Sequence, residues 1–562
     1  MKKTTFIFLT IIILFASILR LWELGKVPIS PDWDEVALGY NAYSILQTGR
    51  DEYGKFLPIV LRSFDDYKPA LYAYFAIPSI VLFGFNTFAV RFPSAFFGVL
   101  AVIATYFLLK ELFPKAKQFS IFNFQFSIGE VASFLLAISP WHLQFSRIAF
   151  ESNVGVAFNI FSVLFFLKGL KKPLFLILSA ILMGINIYIY QSEKVFTPLI
   201  LFALVLIYRK EVFKIPKKYL VTAVLIGFAI VVPMLIYTFT NQDALQRARG
   251  VSVFSQSSLL EENSKKLLVD KNNRDYLGLI LDNRRIVFAK AVISGYLSHF
   301  DLNWLFITGD IARHHPPNMG LMYLFELPFL FLGVYYLFFD PSAGGFDKRA
   351  KLLIFAWFLI APIPASITSG VPHAVRTLNF LPTFQIFTAI GIISAIQFVS
   401  SIKYQVLSIK AKYLIFTLCI LFFIFNFLYY LNQYFVQQNY FNAKEWLYGY
   451  EKIIPEVKKL EENYDKIIVS NQPPMDQSYM FFLFYLRYPP DLYQKESQGA
   501  AGGFRENHYF GKYEFRLIDW IKDSKKQNTL FVGRPTDFPE NVKELKRVSY
   551  PDGSSAMLIV GN

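Results

Sequence analysis

A single cysteine, Cys419, is present in 562 residues. No intramolecular disulfide can form and no cysteine-based zinc site can be built. Cys419 lies inside an apolar stretch and is expected to be a packing residue. Internal repeats and low-complexity tracts are also missing, which argues against a transporter assembled from paired halves. The polar residues 434–562 carry no glycine-rich phosphate loop and no catalytic spacing. At the N-terminus, Lys2 and Lys3 precede an apolar run to about Leu19 without a small-residue cleavage site. That run reads as an uncleaved first helix with its N-terminus in the cytoplasm.

What is abundant defines the class. Hydrophobic residues make up 54% of the chain, with 62 Phe and 33 Tyr, more than the cores of a soluble protein of this length could hide. Stretches of roughly 17 to 25 apolar residues recur, each long enough to cross the hydrocarbon layer as a helix. Eleven spans are expected, near 5–21, 88–112, 128–145, 152–170, 173–190, 194–208, 219–239, 321–339, 352–368, 376–398 and 413–433. The net charge of +15 does not call for nucleic acid, because the basic residues sit in short loops between spans. Lys110, Lys115 and Lys117, then Lys168, Lys171 and Lys172, then the clusters at 209–218, 348–351 and 403–412, all fall on the cytoplasmic side of this count.

Residues 69–85 are apolar, but counting them as a span would export every later lysine cluster. They are short, carry Pro78 and are rich in Tyr and Phe, as expected of an interfacial or re-entrant segment. The expected organisation is therefore an all-α polytopic transmembrane domain over 1–433, with large external loops at 22–87 and 240–320, the latter with an amphipathic stretch at 274–299. An extracytoplasmic α/β domain over 434–562 would follow, with strands at 466–470 and 528–533, a helix at 454–464 and a hairpin over 547–560. A multi-pass protein of the cytoplasmic membrane results.

The first external loop holds the run Asp32-Trp33-Asp34-Glu35, then Asp65, Asp66 and Lys68. Charges kept at a membrane surface are candidates for chemistry. Arg147 and Glu151, Tyr190, Arg313, and His373 with Arg376 fall in other external loops. Carboxylates beside cations at headgroup depth suit a substrate with a phosphate and a long apolar tail; Lys68, Arg147, Arg313, Arg376 and His373 are the candidates for gripping the phosphate.

If a sugar is attached to that phosphate, the phosphate can leave the anomeric carbon without a proton, provided cations stabilise its charge. A base is still needed, and Asp34 could deprotonate an acceptor hydroxyl attacking the opposite face of the sugar. Adjacent side chains diverge on a regular backbone, so Glu35 is assigned to orienting the site or capping a helix, with Asp32 as reserve base. Glu151, Asp32 and Tyr190 are candidates for positioning sugar or acceptor, and Glu151 is spaced to pair with Arg147 on one helical face. No cofactor is called for; a divalent metal stays open, held by Asp34, Asp65 or Asp66 with a histidine, or involving His314 and His315.

Several motifs resemble glycosyltransferase family 39, which includes protein O-mannosyltransferases and lipid A aminoarabinose transferases. They are Trp33-Asp34-Glu35 after the first span, Lys68-Pro69-Ala70-Leu71-Tyr72, Arg91-Phe92-Pro93-Ser94-Ala95, and Ser139-Pro140 leading to Arg147 and Glu151. Gly309-Asp310 and Pro372-His373-Ala374-Val375-Arg376 match more loosely. The resemblance implies the C-type glycosyltransferase fold, a polyprenyl phosphate sugar donor used on the non-cytoplasmic face, Asp34 as the catalytic carboxylate and Lys68 on the donor phosphate. Ala70 stands where the family pattern has a second proline, and Glu151 where aspartate is common. The acceptor would be a lipid, glycan or protein hydroxyl. The competing class is a transporter or lipid flippase with a soluble cap, which would line its spans with charge; a membrane-anchored binding module would need only one helix.

Overall fold

The computed structural model describes residues 3–64, 66–114, 119–121, 124–241, 250–339, 346–402, 408–496 and 507–562. Asp65, Lys115, Lys117 and Lys403 lie outside the described residues. The chain opens with α1 (Lys3–Leu21), α2 (Trp33–Thr48), the antiparallel hairpin β1 (Val60–Ser63) and β2 (Asp66–Pro69), α3 (Leu71–Phe83) and α4 (Thr87–Leu112). There follow α5 (Ile128–Ile138), α6 (Pro140–Ser146), α7 (Glu151–Gly169), α8 (Leu174–Asn186), α9 (Glu193–Ile207) and α10 (Lys217–Thr240). Beyond them come α11 (Ser257–Asn273), α12 (Arg284–Ser298), α13 (Glu326–Phe339), α14 (Lys348–Ile360), α15 (Thr383–Ser401) and α16 (Ile409–Asn432).

Helical runs long and apolar enough to cross a membrane number seven among the described residues: Lys3–Leu21, Thr87–Leu112, Glu151–Gly169, Lys217–Thr240, Lys348–Ser366, Leu378–Ser401 and Ile409–Phe441. The other expected spans coincide with the shorter helices α5, α8, α9 and α13. Their outward faces are apolar, the inverse of a soluble bundle. Phe6, Ile7, Ile11, Leu14 and Ile18 project from α1, and Val221, Val224, Leu225 and Phe228 from α10. Cys419 is exposed on α16, so it meets the lipid-facing surface rather than a packed interior, contrary to the expectation from its apolar neighbours. The expected 128–145 span is two helices, because Ser139 leaves the helical conformation and Pro140 starts the next one. α15 starts at Thr383, later than expected, because residues before it form turns and Pro382 precedes its first residue.

Inside the bundle, small residues and amides replace the hydrophobic drive that lipid cannot supply. α13 and α15 meet at Gly333 and Gly391, where an added Cβ would land on the carbonyl oxygen of Phe387 or Phe329. The Glu193 carboxylate accepts from Asn159 Nδ2 (2.6 Å), Asn379 Nδ2 (2.7 Å) and Asn186 Nδ2 (3.2 Å), tying α7, α8 and α9 to the turn at 378–380.

α3 has 13 residues, about 20 Å at 1.5 Å per residue, short of the ~30 Å hydrocarbon layer. The expected amphipathic stretch at 274–299 forms a short helix and α12. The C-terminal region contains α17 (Tyr450–Leu460), β3 (Lys466–Val469), α18 (Ser478–Leu486), β4 (His508–Phe510), β5 (Tyr513–Phe515), β6 (Thr529–Gly533), β7 (Glu544–Ser549) and β8 (Ser555–Gly561). These strands form one six-stranded sheet in the order β4-β5-β3-β6-β8-β7, with β3 parallel to both neighbours and the other pairs antiparallel. Ile467, Ile468, Val469, Leu530, Phe531 and Val532 are buried in succession because both faces of the central strands are covered. The pair β4–β5 and α18 had no counterpart in the sequence expectation.

This region packs onto the helix that follows the acidic run. An added Cβ at Gly39 of α2 would meet the Phe484 ring at 2.8 Å, and Phe484 in turn stacks edge-on against Phe85, 4.6 Å between centroids. Tyr40 donates to the Tyr488 carbonyl (3.1 Å), and Gln494 Nε2 donates to Ser44, Thr48 and the Asp51 carbonyl.

Candidate active site

The acidic run folds as the start of α2. Asp32 is the N-cap: its Oδ1 accepts from the Glu35 amide (2.9 Å) while Glu35 Oε2 accepts from the Asp32 amide (3.2 Å). Both orphan amides are satisfied reciprocally, and the carboxylates lie at the positive end of the helix.

Beyond that shared cap, the three carboxylates separate. Glu35 turns inward, fully buried, and takes a fork from Arg91 at 2.8 and 2.9 Å plus the Ala149 amide at 2.7 Å. Arg91 spends its remaining donors on the carbonyls of Leu24, Pro28 and Ser30 at 2.8–3.1 Å, so one guanidinium fixes the whole turn between α1 and α2. Asp32 Oδ2 accepts from Arg313 (3.0 Å), whose guanidinium also lies 4.0 Å from the centre of the Trp33 ring. Burial pushes the Asp32 carboxyl up to about 7, the charge of Asp34 adds to this, and Arg313 opposes it.

Asp34 points the other way and forms an ion pair with Lys68 on β2. Its side chain is 26% exposed, whereas those of Asp32 and Glu35 are at 0%. Helix geometry produces this divergence: successive residues leave the helix about 100° apart.

Arg313 belongs to a turn at 309–316 that meets residues 372–376. Asp310 Oδ2 accepts from the Ala374 amide (2.6 Å) and lies 2.9 Å from His314 Nδ1. His314 packs against the rings of Phe145 and Phe150, with the His373 ring centroid 5.2 Å away. Gly309 has φ +67°, and the His315 ring occupies the space a Cβ would need, so glycine is required there. Burial opposes ionisation of Asp310, but the His314 hydrogen bond and charge, His373 and the Ala374 amide outweigh it and hold the carboxyl below the usual range. Burial keeps the His314 and His373 rings neutral to lower pH than usual.

Several expected partners are elsewhere. Arg147 is buried, caps α6, and gives its guanidinium to the carbonyls of Leu19, Trp22 and Val27 at 2.7–3.1 Å, close to the rings of Tyr434 and Phe435. It is a clamp on the C-terminal end of α1 rather than a phosphate ligand. The helix breaks at Arg147, so the expected pair with Glu151 on one helical face does not form; Glu151 opens α7 instead. Arg376 is half-buried and donates to Thr368 Oγ1 (2.6 Å) and the Ser369 carbonyl (2.7 Å). Tyr190 is buried in the turn from α8 to α9, beside Gln191, whose amide donates to the Tyr67 carbonyl next to Lys68. His315 does not join His314; its nitrogens contact the carbonyls of Pro316 and Asp310. Among the described residues, the group able to share an ion is Asp310, His314 and His373, not Asp34 or Asp66 with a histidine.

Arg91 and Asp310 stand in motifs visible in the sequence but were not singled out as site residues. A cation in the first turn of an apolar span was the available signal for Arg91. Asp310 had none beyond its glycine neighbour.

The bundle of apolar helices with a strand-rich C-terminal region has the C-type glycosyltransferase fold. ArnT from Cupriavidus metallidurans, solved bound to undecaprenyl phosphate, matches with a TM-score of 0.55 at 11% identity, over 99% of this chain and 98% of that one. An oligosaccharyltransferase from Archaeoglobus fulgidus, solved with a tethered acceptor peptide, matches at 0.50 and 13% identity over 85% of this chain and 63% of its own. These likenesses show the fold. Residues 67–237 match the family model described as dolichyl-phosphate-mannose-protein mannosyltransferase, so this stretch of the chain is similar to that family. No curated protein matches it in sequence.

Proposed function

We propose that the protein moves a sugar from a polyprenyl phosphate to an acceptor hydroxyl on the outer face of the cytoplasmic membrane, inverting the anomeric centre. The observation that carries this is the access of Asp34: of the three carboxylates at the start of α2, it alone is open to a reactant, and it pairs with the Lys68 ammonium. Asp34 takes the acceptor proton as the hydroxyl oxygen bonds to the anomeric carbon. The bond from that carbon to the phosphate oxygen breaks on the opposite face, and the phosphate leaves unprotonated. Lys68 and Arg313 stabilise its charge, while Arg376, which donates to Thr368 and Ser369, adds to the positive potential of that face beside His373. Glu35 orients α2 and is not consumed in the reaction. Glu151, two residues after the Ala149 amide that binds Glu35, and Tyr190, next to the Gln191 that donates to the Tyr67 carbonyl, position sugar or acceptor.

The undecaprenyl phosphate in the ArnT structure supports a lipid of that class as the carrier here. The lipid-facing belts let its tail remain in the bilayer while the head reaches Lys68. Lys110, Lys168, Lys171, Lys172 and the 209–218 and 348–351 clusters support an orientation with their loops and the N-terminus in the cytoplasm and residues 434–562 outside. The acceptor is a hydroxyl of a lipid, glycan or protein of the cell envelope.

The test is Asp34→Asn, reconstituted with polyprenyl phosphate sugars and cell-envelope acceptors. Insertion and thermal stability should match the parent while transfer falls on the order of 10²- to 10⁴-fold. Full activity in this variant would overturn the assignment.

A further inference from the structure

We propose that Asp310, His314 and His373 form a binding site for one divalent transition-metal ion, zinc foremost. One potential ligand atom from each residue lies within 4.8 Å of the other two, close to the spread a shared ion would draw together. Two imidazoles and one carboxylate are a donor set that suits zinc and its neighbours and leaves at least one coordination position for water or an anionic oxygen.

The bland alternative is a structural knot in which Asp310 joins the 309–316 turn to residues 372–376. It accounts for the Ala374 amide and His314 Nδ1, both on Asp310 Oδ2. It does not account for His373, whose Nδ1 is buried without a hydrogen-bond partner. A buried polar atom without a partner is costly and calls for an explanation. The backbone of residue 373 is anchored independently, its amide donating to His299 Nε2 (3.1 Å), so the ring is not needed to hold the turn. The Asp310 carboxylate supplies negative charge to the ion; Arg313 is paired with Asp32 (3.0 Å) and Arg376 donates to Thr368 and Ser369, although the charge of Arg376 also acts on His373.

Full-length protein, stripped with a chelator and equilibrated with Zn²⁺ alone, should retain close to one equivalent per chain. Co²⁺ in its place should give the visible absorption of a low-coordinate nitrogen- and oxygen-ligated ion. His373→Ala should weaken Zn²⁺ binding by more than about 10-fold while leaving the melting temperature of the metal-free protein unchanged. Asp34→Asn should bind Zn²⁺ like the parent, so this result is independent of whether Asp34 is the base. No stoichiometric Zn²⁺ in the parent, undiminished binding in His373→Ala, or lost binding in Asp34→Asn would each overturn the proposal.

Discussion

Three carboxylates within four residues meet three different surroundings, and that separation assigns their work. Glu35 and Arg91 are both fully buried and interlocked, so removing either leaves an uncompensated charge. Glu35→Ala and Arg91→Ala are each expected to cost about 3–5 kcal/mol, seen as a lower melting temperature and poor recovery of folded protein. Arg91→Lys should also fail, because a single ammonium cannot fork to Glu35 and reach three carbonyls. Asp32 titrates differently. Its carboxyl is raised from the ordinary 3.8 to about 7, so ionising it costs the folded state. The stability it contributes is therefore full below about pH 4 and is lost as the pH rises to 7. Asp32→Asn keeps the cap oxygen but cannot ionise, and should flatten the fall in melting temperature between those pH values. A fall of unchanged size would show that other groups produce it.

At the scale of elements, close approach and helix breaks do the positioning. α13 and α15 touch through Gly333 and Gly391, each facing the other helix's backbone. Gly391→Ala should force them apart at a cost of about 1–3 kcal/mol or more, measurable as a lower melting temperature. The break after Ser139 lets α6 run as a separate short helix and places Arg147 at its end, where it holds the exit of α1. The span pattern shows a continuous apolar stretch there, because hydropathy does not register a change of helix direction. Proline in Ser139-Pro140 was the legible sign. The same blindness hid the β1–β2 hairpin that presents Lys68: four-residue strands carry too short a pattern to detect.

Across the whole molecule, the C-terminal region is built onto the helix that carries the acidic run. Phe484 fills the notch at Gly39, and Gln494 binds three acceptors on α2 and the turn after it. Phe484→Ala should cost about 3–5 kcal/mol. It should also reduce transfer although Asp34 is untouched, because α2 loses one wall; an active, stable Phe484→Ala protein would show that the two regions work separately. The central strands and the last hairpin of this region lie close to where runs of β-branched and aromatic residues predicted them, whereas β4 and β5, three residues each, escaped notice.

By itself the sequence determined the solvent of this protein, the rough course of its helices and the position of the acidic run after the first of them. Hydropathy is summed over neighbouring residues, so those properties are local. Only the tertiary structure decided which carboxylate stays open and which cation each carboxylate meets. Arg91 lies 56 residues from Glu35 and Arg313 lies 281 from Asp32, and no local pattern encodes a contact closed over such distances. Arg147 shows the same limit from the other side: its charge was legible, but its burial against the carbonyls of a distant helix depended on packing alone.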